Sequence, residues 1–182
     1  MSSIGKTRIN LIENVNDSGA TSVNNRATVE RTSGGESVVR RSIHGPAHLV
    51  FAAWTRPELF RRWWVPKAAP ITLLSCELGV RVGGTYRLLF GVNGSDQQAE
   101  FFGRYLDVIP NTRIVWTDEE GGEGGAISTV TFEEKDGQTW VVVHELYSSK
   151  EALDEAIASG STEGMPEQLE QLDELAVGLR GV

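Results

Sequence analysis

The sequence of 182 residues contains a single cysteine, Cys76. One thiol excludes an internal disulfide and a cysteine-rich metal site, so we expect Cys76 to be a small buried apolar residue. No apolar run approaches the roughly 20 residues of a transmembrane helix. Residues 1–10 lack the apolar segment of a signal peptide. We therefore expect a cytoplasmic protein.

Positive charge is scarce in the C-terminal part of the chain. Residues 1–117 carry 14 Lys and Arg against 9 Asp and Glu, whereas residues 118–182 carry 3 against 16. Binding to nucleic-acid phosphates needs a basic surface, so this acidic part argues against a nucleic-acid-binding protein. We interpret it as a solvated helix face together with acidic turns.

The motifs of several enzyme and metalloprotein classes are absent. HELYSSK at residues 144–150 lacks the second His of a zinc protease motif, and there is no G-x-S-x-G motif. His44 and His48 have the spacing of two ligands on one helix, but the intervening Gly45-Pro46 breaks that helix. GGEGG at residues 121–125 lacks the Lys-Ser/Thr of a phosphate-binding loop, so a flexible loop is predicted. We predict neither a metal nor a cofactor.

The length and the local patterns indicate one domain preceded by a tail. Residues 1–25 show no sustained apolar period and are interpreted as a flexible N-terminal tail, so that the domain spans residues 26–182. A domain of this size can bury a sizeable core.

The segment PAHLVFAAWTRPELFRRWWVP at residues 46–66, here called the bracket, organises the rest of the chain. Two short helical patterns lie on either side of Pro57, and the segment contains three tryptophans. Thr55 is a candidate cap for the second helix. Neither helix, at about two turns, is stable alone, so the bracket must pack on a larger surface.

Strand patterns dominate residues 71–147. Six strand-like segments are separated by short turns, including Asn93-Gly94, a strong hairpin signal. Such short connections leave no room for crossover helices, so the sheet is predicted to be antiparallel. Residues 27–31 and 38–43 add either a hairpin or one kinked edge strand.

Helical patterns return after the strands, at residues 150–158 and 165–179, and the last is amphipathic. The predicted fold class is α+β helix-grip. It has a curved antiparallel sheet of six to seven strands, two short helices after the first strand, and a long C-terminal helix over the sheet. A cavity remains between sheet and helix if side chains do not fill the space.

Five stretches of the chain carry a family resemblance. Together they resemble the stand-alone bacterial domains related to the C-terminal part of the activator of heat-shock protein 90 ATPase, within the START-like (SRPBCC) superfamily. This superfamily shares the helix-grip fold of the birch-pollen allergen. The stretches are PAHLVFAAWTRPELFRRWWVP at 46–66, VRVGGTYRLLF at 80–90, FFGRYLDVIPNTRIVWT at 101–117, STVTFEEKDGQTWVVVHELY at 128–147 and QLEQLDEL at 168–175.

The resemblance implies a scaffold for ligand binding or for association with a chaperone, not one defined reaction. The sequence departs from the family pattern at the last helix. The family usually has Gly-Trp there, whereas Gly164 is followed by Met165, a flexible thioether in place of a rigid ring.

Nine side chains are candidates for lining a ligand cavity, with Glu145 or His144 orienting the ligand. Alternation along a strand places these two on opposite faces of the sheet, and it places Glu100 and Arg104 on one face together. Trp63 and Trp64 fit core packing as well as a cavity rim. The candidates are Phe60, Trp64, Tyr86, Phe101, Trp116, His144, Glu145, Tyr147 and Met165.

Three functional hypotheses follow from these observations. The leading one is non-catalytic binding of a small hydrophobic or aromatic ligand between the sheet and the C-terminal helix. The second is a co-chaperone-like protein that acts on a heat-shock protein 90 homologue in a stress response. The third is a cyclase-type or hydrolase-type enzyme with Glu145 or His144 as general base. A monomer and a homodimer both remain open.

Overall fold

The computed structural model describes residues 26–31, 34–120, 122, 125–160 and 162–181, and these form eight strands and four helices. The predicted tail at residues 1–25 and most of the predicted loop at 121–125 lie outside the described residues. The strands are β1 (Thr28–Arg31), β2 (Glu36–Ile43), β3 (Ile71–Leu78), β4 (Thr85–Val92), β5 (Gln98–Ile109), β6 (Arg113–Thr117), β7 (Ile127–Lys135) and β8 (Gln138–Leu146). The helices are α1 (Ala47–Thr55), α2 (Pro57–Phe60), α3 (Lys150–Ala158) and α4 (Met165–Leu179).

All eight strands belong to one antiparallel sheet with the order β1-β2-β8-β7-β6-β5-β4-β3. The sheet has one strand more than the predicted maximum of seven. The extra strand arises because the first strand segment is a hairpin, in which Val29 of β1 pairs with Val39 of β2. Strand β2 then pairs with β8 and links the start of the domain to its last strand. The α+β helix-grip prediction is confirmed.

The bracket forms α1 and α2, and its prolines mark where the helices begin. Pro46 precedes α1 in an extended conformation, and Pro57 occupies the first position of α2. The predicted capping role of Thr55 is wrong, because its hydroxyl donates to the Phe51 carbonyl oxygen at 2.9 Å. Arg56 occupies the cap position instead.

The face of the sheet toward the helices, here called the inner face, carries the core. Trp63, which follows α2, is fully buried, and its indole N–H donates to the Ala53 carbonyl oxygen at 3.0 Å. The helical partner of that oxygen would be the backbone N–H of residue 57, which proline lacks. The tryptophan therefore satisfies an acceptor that the start of α2 leaves free.

Helix α4 packs against β2 and α1 and anchors the end of the bracket. The Gln171 side-chain amide donates to the carbonyl oxygens of Trp63 at 2.7 Å and Val65 at 2.8 Å, and Gln168 donates to the Trp64 carbonyl oxygen. None of the helices in the described part of the chain is long and apolar enough to cross a membrane.

Candidate functional site

A small cavity, here called the aromatic cavity, lies between the bracket and strands β3 to β6, with a volume of about 30 Å³. No residue of α4 lines it, because α4 packs over β2 and α1 and leaves this part of the inner face to the bracket. The lining residues are Trp54, Phe60, Trp64, Leu78, Tyr86, Leu88, Tyr105, Ile114 and Trp116.

Aromatic rings fill most of the space around this cavity. Phe60 and Trp64 are stacked with ring centroids 4.5 Å apart, and Trp54 lies 5.7 Å from Trp116. A volume of 30 Å³ accommodates about one water molecule, whereas ligand pockets usually measure about 300 to 1,000 Å³. Trp64, Leu78 and Trp116 are only half-buried and form the rim. A larger molecule therefore enters only if a rim side chain moves.

Trp54 contributes an unpaired hydrogen-bond donor to this site. Its side chain is 4% exposed, and its indole Nε1 has no hydrogen-bond partner within the described residues. Trp63, on the same bracket, has its N–H satisfied by Ala53. A buried N–H without an acceptor costs about 1 to 3 kcal/mol. Because Trp54 also lines the aromatic cavity, its N–H is the candidate donor for a bound molecule with an acceptor.

Asp118 lies directly behind the aromatic wall of the cavity. The Tyr86 hydroxyl donates to Asp118 Oδ1 at 2.7 Å, the Ser128 hydroxyl lies 3.2 Å from Oδ2, and the Trp116 side chain also donates to this carboxylate. Tyr86 and Trp116 therefore present their rings to the cavity and their polar atoms to Asp118. Burial raises the pKa of Asp118 above its ordinary value, although these hydrogen bonds oppose the shift.

The backbone around Asp118 is held by a close approach at Gly125. The Asp118 N–H donates to the Ala126 carbonyl oxygen at 2.9 Å. A Cβ atom at Gly125 would lie 1.7 Å from the Asp118 carbonyl oxygen, so only glycine fits. Gly125 thus helps to place the carboxylate.

Glu145 is the second acid at this end of the inner face. It lies opposite Ser128 in the β7–β8 register, and Ser128 in turn contacts Asp118. Burial is the main cause that raises the pKa of Glu145 to about 7; the Asp118 charge adds to it, and a hydrogen bond with Tyr147 opposes it. We call Asp118 and Glu145 the acid pair.

The other predicted site residues are distributed around this centre. Phe60, Trp64, Tyr86 and Trp116 line the aromatic cavity. The other five do not line it. Glu145 and Tyr147 contact each other next to Asp118. Phe101 is 39% exposed and packs against Phe90. Met165, on α4, packs against the core. His144 lies on the face of β8 opposite to Glu145, and its ring is 3.9 Å from the carboxylate of Glu36.

Glu100 and Arg104 lie on the outer face of β5 and do not pair with each other. Glu100 is 3.3 Å from Arg87, and Arg104 is 2.6 Å from Glu119. Both contacts are surface ion pairs. Of the four ionisable residues that the sequence marked as candidates, Glu145 is therefore the one that lies on the inner face. No group of three or more His, Cys, Asp or Glu within the described residues is arranged to hold a metal ion.

Comparison with known proteins identifies the family. The family model described as "Activator of Hsp90 ATPase homolog 1-like protein" matches residues 44–176, which is most of the chain. The chain belongs to this family. A search of curated protein sequences gave no match.

Solved bacterial structures share the fold of this Hsp90-activator-like domain. A protein from Rhodobacter sphaeroides has a TM-score of 0.75 and 20% identity, covering 84% of this chain and 99% of that chain. A protein from Nitrosomonas europaea has a TM-score of 0.72 and 20% identity, covering 81% and 97%. A protein from Chromobacterium violaceum has a TM-score of 0.67 and 26% identity, covering 78% and 96%.

Three residues of the site, Trp54, Tyr105 and Asp118, are not among the candidates predicted from the sequence. The sequence pattern places Trp54 in the apolar stripe of α1 and Asp118 in the acidic part of the chain after β6. Alternation along β6 carried a signal for Asp118, since Ile114 and Trp116 line the cavity and Asp118 is next in that period. Alternation along β5 carried a similar signal for Tyr105, which follows Phe101 by four residues on the same face and precedes the bulge between β5 and β6.

A second concave surface lies on the far side of α1. This outer groove measures about 510 Å³, and its apolar lining includes Leu49, Phe51, Leu59 and Leu179. Its polar lining residues include Arg56 and Glu58. The groove is open to solvent and separate from the acid pair.

Proposed function

We propose that this Hsp90-activator-like domain binds, without catalysis, a small hydrophobic or aromatic ligand that carries a hydrogen-bond acceptor. The ligand occupies the aromatic cavity. The observation that carries this proposal is the N–H of Trp54, which has no partner in the described part of the chain and belongs to a residue in a wall of aromatic rings. Burial of a flat apolar body among these rings supplies affinity, and the acceptor removes the cost of the unpaired donor.

Binding needs the cavity to open at its rim. Trp64 is half-buried and stacks on Phe60, so outward rotation of its side chain joins the cavity to solvent. The backbone of this residue is held by Gln168 of α4, which confines the movement to the side chain. Trp64 also makes edge contacts with Trp54 and Trp63. At about 0.5 to 1.5 kcal/mol for each ring contact, the cost of breaking all three stays below the roughly 8 kcal/mol of a micromolar binding energy.

A thermal-shift and fluorescence titration with small phenols and alkylbenzenes tests the proposal. We expect 4-propylphenol to bind and to stabilise the protein, and Trp54→Phe to weaken its binding by about threefold to tenfold because one hydrogen bond is lost. Trp140→Phe is the matched control, since Trp140 is 47% exposed on β8 and does not line the cavity. Absence of binding by the whole series, or equal effects of the two substitutions, would contradict the proposal.

The outer groove supports a second candidate function, binding of a protein partner. Its apolar floor and mixed charges at Arg56 and Glu58 suit the side chains of a partner surface. The family description suggests a heat-shock protein 90 homologue as that partner. The test is a titration of the chaperone's ATPase activity with the protein and with Leu59→Asp; no change in activity with either would remove this candidate.

A further inference from the structure

We propose that the acid pair makes the aromatic cavity selective for a ligand with a positively charged amine on an aromatic body. This inference rests on the proposed function and names the class of ligand. The amine meets Asp118 and Glu145, and an oxygen elsewhere on the ligand accepts from Trp54.

The first argument is the position of the pair. Tyr86 and Trp116 each line the cavity with a ring and donate a hydrogen bond to Asp118. The carboxylate is therefore one side chain away from the cavity, and Glu145 adjoins it across Ser128. A ligand that pushes the half-buried Trp116 side chain aside contacts Asp118 and Glu145 directly.

The second argument is the charge around the pair. Within the described residues, neither Asp118 nor Glu145 forms a salt bridge with a cationic side chain. The groups that face the pair are the hydroxyls of Tyr86, Ser128 and Tyr147, the carboxylate of Glu120, and Arg31, whose charge acts on Tyr147.

The third argument is chemical complementarity. Two half-buried carboxylates without a cation are stabilised by a ligand that supplies one, and charge-assisted hydrogen bonds are about twice as strong as neutral ones. The aromatic rings beside them also attract a cation through their faces. Independently, the N–H of Trp54 has no acceptor within the described residues, and Trp54 lines the same cavity, so an aromatic hydroxyl on the ligand is a matching acceptor.

Three probes of one shape test the selectivity: tyramine, which is cationic; 4-propylphenol, which is neutral; and 3-(4-hydroxyphenyl)propanoate, which is anionic. We expect tyramine to bind about 10-fold to 100-fold more tightly than 4-propylphenol at about pH 8, and the anion to bind most weakly. Because the pKa of Glu145 lies at about 7, the preference for tyramine should shrink as the pH falls below that value.

Two variants test whether Glu145 binds the ligand or only supports the structure. Glu145→Gln should lower the ratio of tyramine to 4-propylphenol affinity, because only Asp118 remains to meet the amine, and should remove the change of this ratio around pH 7. Glu133→Gln, an exposed carboxylate on β7, should leave both unchanged. If none of the probes binds, the proposed function fails and this inference with it. If 4-propylphenol binds as tightly as tyramine, or if Glu145→Gln leaves the preference unchanged, only this inference is overturned.

Discussion

Replacing Glu145 by Gln should stabilise the protein at neutral and alkaline pH but not at acid pH. Mainly through burial, the pKa of Glu145 is raised from its ordinary value of 4.5 to about 7 in the folded protein. Between these values the folded protein keeps a proton that the unfolded chain releases. The folded state therefore binds more protons, and its stability falls as the pH rises through this interval.

The size of the effect follows from the pKa interval. At about 1.4 kcal/mol per pKa unit, the rise from 4.5 to about 7 corresponds to about 3 kcal/mol in the free energy of unfolding. Partial exposure of Glu145 makes this an upper limit. The Glu145→Gln variant has no proton to lose, and its side-chain oxygen still accepts from Tyr147. Its advantage over the wild type should be near zero at about pH 4.5 and should reach its maximum above about pH 8.

Urea unfolding followed by tryptophan fluorescence at a series of pH values measures this difference. Glu133→Gln serves as the control, because Glu133 is an exposed carboxylate on the same sheet. A difference in the free energy of unfolding that is the same at all pH values would refute the reasoning. So would a variant that is less stable than the wild type at about pH 8, since the buried charge would then be favourable.

Three further substitutions test the packing that positions the site. Trp63→Phe should cost about 1 kcal/mol more than Trp54→Phe in thermal or urea unfolding, because only Trp63 has a hydrogen-bonded N–H. Gln171→Leu should cost about 3 kcal/mol in urea unfolding, because it leaves two bracket carbonyl oxygens without their donor. Asp173→Ala should cost about 3 to 5 kcal/mol, because it leaves the buried Arg41 without its carboxylate at 3.6 Å and the His44 backbone N–H without its acceptor at 2.6 Å.

For each of these three predictions, one result would contradict the reasoning. Equal costs for the two tryptophan substitutions would show that the N–H of Trp54 is satisfied in solution. Glu170→Gln, on the exposed side of α4, is the control for Gln171→Leu, and similar costs for both would contradict the anchoring role of Gln171. A second substitution, Arg41→Met, should recover the part of the Asp173→Ala cost that comes from the unpaired charge, and no recovery at all would contradict a charge-based contribution.

Periodicity and turn chemistry in the sequence determined the order and type of the elements. The bracket was predicted from two short apolar stripes separated by Pro57, and both helices form there. The antiparallel sheet followed from short connections such as Asn93-Gly94, since no crossover helix fits between these strands. These features depend on residues close together in the chain, so the sequence alone predicts them.

Alternation also narrowed the candidate site without completing it. It separated His144 from Glu145, but which of the two faces the helices depends on how β8 pairs with β2 and β7. The surface partners of Glu100 and Arg104 come from a neighbouring strand and from the segment after β6, which no local pattern specifies.

The sequence by itself determined the fold class and the aromatic character of the bracket, because both follow from local spacing and residue type, and its resemblance to known sequences indicated the family. Only the tertiary structure decided that α4 packs over β2 and α1, that the bracket covers the cavity, and that Asp118 adjoins Glu145. The physical reason is that packing between elements, the volume left between rings and the electrostatics of buried acids depend on contacts between residues far apart in the chain.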